Sequence, residues 1–175
     1  MSAVIRLEPF ADEHLDAFAR TLEDPAILRF TRMPVPPPPG FASMWFERYE
    51  QGRRDGTREV FAIVDDADGS YLGVAVVPTI NRETRTAELG YVVAPWARGR
   101  GVATEALRQL TKWALETLDP MRLELWISPD NPASKKVAEK CGYVYEGTLR
   151  MMHFKQDLWE DGEIWSRIAT DPDPG

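Results

Sequence analysis

The chain carries a single cysteine, Cys141, and two histidines, His14 and His153, far apart in sequence. One thiol closes no internal disulfide, and no Cys/His group has zinc-ligand spacing, so neither a disulfide scaffold nor a structural metal is expected, and a reducing, intracellular setting is. No apolar run approaches the roughly 18 residues of a membrane span. Arg6, Glu8, Asp12 and Glu13 interrupt the N-terminal stretch, so no export or membrane signal is expected and a cytoplasmic location follows. Positive charge is also short: 21 Lys+Arg against 28 Asp+Glu leave a net charge of −7. That is the wrong sign for a general nucleic-acid binder, which needs a basic face for phosphates.

What remains is ordinary globular composition, 43% hydrophobic over 175 residues, enough for one domain with its own core and no second catalytic domain. Residues 1–170 are expected to form that domain and the acidic 171–175 a frayed tail. Val4 to Leu7 reads as a first strand, broken by Pro9, with Asp12 capping a helix that buries Leu15, Phe18, Ala19 and Leu22. Asp24-Pro25 ends that helix or starts another. The Pro34 to Gly40 run fits neither a helix nor a central strand and reads as a stiff loop. A helix from Phe41 is expected to close at Gly52. Val60–Val64, Tyr71–Ile80 and Thr86–Val93 form an antiparallel meander. Ala103–Leu118 is the clearest helix, with Ala103, Ala106, Leu107, Leu110, Trp113, Ala114 and Leu118 on one face. Leu123–Ile127 returns parallel to the Thr86 strand. Asn131–Lys140 is a short helix, Tyr143–Phe154 a strand, and Ile164–Ile168 a last strand after an Asp161-Gly162 turn. The result is an α/β (α+β) domain with a mixed, mostly antiparallel sheet of about seven strands.

The segment that carries chemistry is Arg98-Gly99-Arg100-Gly101-Val102-Ala103-Thr104, between a strand and the best helix. Two glycines let consecutive amides turn into one concavity, above the positive end of a helix, which is a cradle for pyrophosphate. From Arg82 to Lys112 six basic residues face three acids, a positive island in an acidic chain. The same Gly-x-Gly also suits a plain turn with solvated arginines. A P-loop is absent, and a nicotinamide-dinucleotide fingerprint fails at Thr104.

This segment resembles the coenzyme A signature of the GNAT N-acetyltransferase superfamily. The surroundings agree: Ala87-Glu88-Leu89-Gly90-Tyr91 with Ala94-Pro95 before it, Pro129-Asp130-Asn131-Pro132-Ala133-Ser134, Glu139-Lys140-Cys141-Gly142-Tyr143 and Glu146-Gly147-Thr148-Leu149-Arg150 after it. They look like the branch of ribosomal-protein N-terminal acetyltransferases RimJ and RimL. Members of that branch often have an aromatic where Arg98 stands, whereas Arg98 follows the wider superfamily. The resemblance implies acetyl-coenzyme A as cosubstrate, a splay between the Thr86 and Leu123 strands, and a pantetheine arm bonded around Val92 and Val93. It also implies a pyrophosphate on the amides of Gly99, Arg100, Gly101, Val102, Ala103 and Thr104, with Arg98 beside it, and Asn131 and Ser134 at the cofactor.

An ammonium cannot attack a thioester, so a base is needed. Glu88, on the strand bordering the cleft, is the candidate; a solvated or ion-paired carboxylate is its alternative. The Val93 amide is the natural donor to the developing oxyanion. The tyrosine that many superfamily members use to protonate the thiolate is replaced by Ala138, leaving Ser134 as substitute donor or as a helix-capping residue. Cys141 reads as a buried filler, and direct transfer needs no enzyme nucleophile.

For the acceptor, Phe30, Trp45, Phe46, Tyr49, Trp159 and Trp165 are candidate pocket walls, although core is the expected role of Trp45 and Phe46. Six acids after Gln156, against Arg167, form a candidate negative rim for a cationic acceptor. The expected acceptor is a primary amine, a basic protein N-terminus foremost, with a polyamine or an aminoglycoside as alternatives. A non-catalytic acyl-coenzyme A sensor and a nicotinamide-dependent oxidoreductase are rivals from other classes. A monomer or a homodimer is expected.

Overall fold

A computed structural model describes residues 4–174. Strand β1 (Ile5–Pro9) is followed by a 3-10 turn at Asp12–His14 and helices α1 (Leu15–Thr21), α2 (Pro25–Phe30) and α3 (Phe41–Asp55). Then come β2 (Glu59–Asp65), β3 (Tyr71–Asn81), β4 (Thr86–Val93), α4 (Val102–Leu118), β5 (Arg122–Ile127), α5 (Pro132–Lys140), β6 (Val144–Lys155) and β7 (Leu158–Ile168). They build one seven-stranded sheet in the order β1-β2-β3-β4-β5-β7-β6. Every neighbouring pair is antiparallel except β4 and β5, which run parallel over only three residue pairs, Thr86–Arg122, Ala87–Leu123 and Glu88–Glu124. Beyond that rung the strands have no further pairing, and a gap opens beside Leu89–Val93.

Alternation along β4 sorts its side chains onto two layers. Val92 joins Phe10, Phe18, Leu22, Ile27 and Tyr49 beneath α1–α3, whereas Ala87 and Leu89 join the larger cluster under α4 and α5, with Tyr91 and Val93 packed against it. Helix α4 supplies Val102, Ala106, Leu107, Leu110 and Ala114 to that second cluster, at the spacing of one helical stripe. Trp45 and Phe46 are core: Trp45 lies 4.5 Å from the Phe18 ring and Phe46 4.9 Å from Phe10.

Several local expectations are corrected. Asp12 caps no helix: Ala11 is the N-cap of the 3-10 turn and His14 that of α1, and His14 Nδ1 accepts the Ala11 amide at 3.0 Å. Its Nε2 lies 3.0 Å from Glu8 Oε1. With both ring nitrogens committed, the Glu8–Glu13–His14 group is explained as a helix-entry cap. Asp24 starts α2, its Oδ1 accepting the Ala26 amide at 2.7 Å. Helix α3 runs through Gly52, which leaves room for the Arg58 side chain, and ends at Gly56 in the left-handed region (φ 70°). Asp161-Gly162 is no turn; it lies inside β7, opposite an irregularity in β6 where the Met151 amide donates to Asp161 Oδ1 at 2.9 Å. The hairpin turns instead at Gln156-Asp157, both at positive φ. After β7 the chain folds back, with Ile168 N donating to Asp171 Oδ2 (2.9 Å) and Arg167 to the Pro172 carbonyl (3.2 Å).

Candidate active site

The glycine segment caps α4. Gly99 and Gly101 both take left-handed conformations (φ 76° and 79°), and Gly101 is the helix N-cap. The first helical hydrogen bond runs from Glu105 N to Gly101 O at 3.1 Å, so the amides of Val102, Ala103 and Thr104 precede any intrahelical acceptor. A Cβ on Gly99 would meet nothing within 4 Å, so the outer side of the loop is open. The arginines of the segment are engaged: Arg98 pairs with Asp24 at 2.8 Å and Arg100 with Asp65 at 2.8 Å. Both guanidinium groups stay about half exposed (46% and 49%), so each pair is open to exchange for another anion.

Val92 and Val93 differ in a way the sequence does not reveal. Ala94 N donates to Leu72 O at 2.8 Å, and hydrogen-bonded and non-hydrogen-bonded pairs alternate along the β3–β4 ladder. The backbone groups of Val92 therefore turn toward β3 and are used there. Those of Val93 turn toward β5, into the gap. Val92 is thus corrected from a residue with free backbone groups to a sheet and core position.

On the α1–α3 side, Glu88 sits at the last paired rung before the gap, 8% exposed. Its Oε1 accepts from Arg32, in the loop between α2 and α3. Burial pushes its carboxyl above the ordinary carboxylate range, against the lowering effect of Arg32. The Arg32 guanidinium lies 5.0 Å from the Trp126 ring on β5, and the His153 ring packs tilted against the same indole at 5.8 Å. Neighbouring Glu124 is already occupied by Arg122 Nε at 2.6 Å and Trp126 Nε1 at 3.1 Å. Lys155 Nζ donates to the carbonyls of Leu28 and Thr31, which holds the start of the Arg32 loop.

On the α4–α5 side, Asn131 caps α5 with its Oδ1 accepting the Ser134 amide at 3.2 Å. The Ser134 hydroxyl lies 3.2 Å from Tyr91 Oη on β4, across the gap. Burial pushes the Tyr91 hydroxyl up to about 12, so it stays protonated and donates to Ser134 Oγ. Ala138 is buried with no polar group to offer. Cys141 is buried, its thiol bonded to Thr104 O at 3.5 Å and raised to about 11 by desolvation, which suits a packing role.

The acceptor side differs from the sequence expectation. Glu163 is buried and shared between Lys135 Nζ (2.7 Å) and Trp165 Nε1 (2.9 Å), Asp161 and Asp171 bind backbone amides, and Arg167 lies 3.9 Å from Asp173. Four of the six acids of the expected negative rim are thereby engaged within the fold, tying β6, β7, α5 and the tail together, whereas Asp157 and Glu160 stay exposed at the β6–β7 hairpin. Trp165 and Tyr49 are buried rather than cleft-lining. Arg32, Trp126 and Tyr91 are site residues that sequence reading missed. Tyr91 alone had a signal, its place in the Glu88–Tyr91 motif.

Among the described residues no helix is long and apolar enough to cross a membrane. The profile of the acetyltransferase (GNAT) domain family matches residues 5–144. A probable N-acetyltransferase of Bacillus subtilis is 30% identical over 63% of this chain and 62% of its own. The ribosomal-protein-serine acetyltransferase of Escherichia coli is 30% identical over 55% of this chain and 54% of its own, so the match spans about half to three fifths of these relatives. Among solved structures, a RimL ribosomal L7/L12 α-N-protein acetyltransferase with coenzyme A superposes with a TM-score of 0.84, at 20% identity, over 95% of both chains. Spermidine N-acetyltransferase from Vibrio cholerae, in complex with coenzyme A and spermine, gives 0.82 at 21% identity, over 97% of this chain and 98% of that one. These structures share the fold, and together with the profile match over residues 5–144 they place the chain in the GNAT acetyltransferase domain family.

Proposed function

We propose that this protein transfers acetyl from acetyl-coenzyme A directly to a primary amine, with a protein or peptide α-amine as the favoured acceptor. The observation that carries the reading is the buried Glu88 carboxylate at the rung where β4 and β5 part, on the opposite face of β4 from the Tyr91–Ser134 pair. The cleft fits the cosubstrate: uncommitted amides lie at the start of α4, open space borders Gly99, and the Val93 backbone faces the gap. Gly99–Thr104 would hold the pyrophosphate and Val93 the pantetheine arm, while Arg98 would exchange Asp24 for phosphate. When bound, the cosubstrate supplies an activated thioester acetyl group.

Glu88 accepts a proton from the acceptor ammonium, directly or through water, and its raised affinity for that proton suits it to the task. The Val93 N–H donates to the charge that develops on the acetyl oxygen. Ser134, with Tyr91 donating to its oxygen, has its own hydrogen free for the departing sulfur. Asn131 fixes the turn that carries Ser134. Ser134 therefore combines the capped helix position with the donor position, two roles the sequence leaves as alternatives.

The preference for an α-amine is supported by the relative named as a ribosomal-protein-serine acetyltransferase. Spermidine N(1)-acetyltransferases at 26% identity support the polyamine alternative. Release of free coenzyme A thiol, measured with N-terminal peptides, spermidine and aminoglycosides, tests the reading. Turnover of at least one amine, lowered about 10²–10⁴-fold at neutral pH in Glu88→Gln, is expected. Tight coenzyme A binding without turnover on any amine would instead favour the acyl-coenzyme A sensor.

A further inference from the structure

The Glu88–Arg32 pair is an unusual object to find at the reacting end of an amine site. A carboxylate that must receive an ammonium is in contact with a cation, and that cation is half exposed (49%) while Glu88 is buried. The strongest electrostatic influences on Glu88 come from Arg32, Glu124 and Arg58, two cations and one carboxylate. Glu124 is paired with Arg122 through one oxygen and with Trp126 Nε1 through the other. Glu160, exposed on β7 opposite His153, is one further carboxylate on that side, so spermidine serves as the competing acceptor in the test.

Arg32 is held as a receptor would be. Its guanidinium stands over the Trp126 ring at 5.0 Å, which fixes its position, and one nitrogen meets Glu88. A guanidinium has five donors in a planar fork, matched to a carboxylate in bidentate fashion. Among the described residues no further hydrogen-bond partner of Arg32 is found, so most of the fork is unfilled. Lys155 bonded to Leu28 and Thr31 pins the start of the loop that delivers it.

We propose that Arg32 is the specificity residue of the acceptor site, and that it selects amines carrying a carboxylate close to the amino group. An adjacent carboxylate and guanidinium complement an adjacent ammonium and carboxylate: the amine meets Glu88 while the acceptor carboxylate takes the open edge of Arg32. Two sources share this chemistry, the α-carboxylate of a free amino acid and the side-chain carboxylate of a peptide with an acidic second residue. The inference rests on the amine-acetylation reading above and narrows its acceptor class.

The test compares matched acceptors within each protein, so that any general loss of activity cancels. L-serine is paired with serinamide, the amidated peptide Ser-Asp-Ala with Ser-Asn-Ala, and spermidine is included. In the wild type kcat/KM should favour the carboxylate member of one pair by about 10–100-fold, the range of a charge-assisted hydrogen-bonded contact. Arg32→Ala should bring that ratio near one, mostly through KM, and Arg32→Lys should restore part of it. The responding pair identifies the source. A ratio near one for both pairs in the wild type, a preference for spermidine, or a ratio unchanged in Arg32→Ala overturns the proposal. Calorimetry of the same acceptors on coenzyme A-loaded protein separates this outcome from failure of the catalytic reading. Arg32-dependent preference in binding without turnover upholds the site and removes the activity, whereas no preference or no binding removes the site.

Discussion

Tyr91 on β4 donates its hydroxyl hydrogen to Ser134 Oγ on α5 at 3.2 Å, bridging the gap left where β4 and β5 cease to pair. The bond leaves the serine hydrogen uncommitted and supplies a phenol near the place where the Ala138 methyl cannot act. Ser134→Ala is expected to lower kcat by about 10²-fold, at the low end of acid–base contributions, with coenzyme A affinity unchanged. Tyr91→Phe should give a smaller loss in the same parameter. Stopped-flow release of thiol alongside calorimetry checks both. Equal kcat for Ser134→Ala and wild type would leave water as the proton source.

Glu88→Gln should reduce turnover by about 10²–10⁴-fold at neutral pH, with the deficit shrinking as pH rises and more of the acceptor arrives as free amine. Stability should move the other way. The folded carboxyl titrates above its unfolded value, so its contribution is full at low pH and lost as pH rises through the folded pKa. Glutamine has no such titration. The variant is therefore expected to melt higher than wild type near neutral pH, the difference narrowing towards about pH 4, which thermal denaturation across a pH series reads directly.

Gly101→Glu should abolish coenzyme A binding. A side chain would be forced into a left-handed position (φ 79°), and a negative charge would stand at the amides that precede the first helical bond. Calorimetry on a folded variant is the measurement, and unchanged affinity would remove the cradle.

Arg98 gives a two-sided prediction because it is paired with Asp24. Arg98→Ala should weaken coenzyme A more than a dephosphorylated pantetheine fragment. Asp24→Asn should tighten coenzyme A, since asparagine keeps the cap on Ala26 but releases the guanidinium. The gain should fade at high salt. Equal effects on both ligands would confine Arg98 to its ion pair.

Much of this site was legible from the residues before any coordinates. The glycine segment, the helical stripe of α4 and the motif around Glu88 are local patterns, and local sterics settle them. The misreadings share a different cause. Asp161-Gly162 has turn chemistry, yet tertiary pairing carries it through a strand: a side chain at Gly162 would collide with Met152, so the glycine answers to packing. Asp161, Glu163 and Asp171 looked solvated because their partners, Lys135 and the Met151 and Ile168 amides, are identified only by the folded chain. Arg32 and Trp126 come from segments with no motif and meet only because β5 enters the sheet beside β4.

The position of β7 between β5 and β6 bears on how the site comes into being during synthesis. Strand β7 is made after β6 yet lies inside it, so β6 has no place on the sheet until β7 has formed. Lys155, whose bonds to Leu28 and Thr31 hold the Arg32 loop, sits at the end of β6. A nascent chain can therefore complete the meander and the α4 cradle while its acceptor mouth is still unbuilt. Closing that mouth joins residues more than 120 positions apart, a costly loop closure that comes late. A premature stop inside β7 would leave the α4 segment formed while the Arg32 loop lacks the Lys155 bonds that hold it.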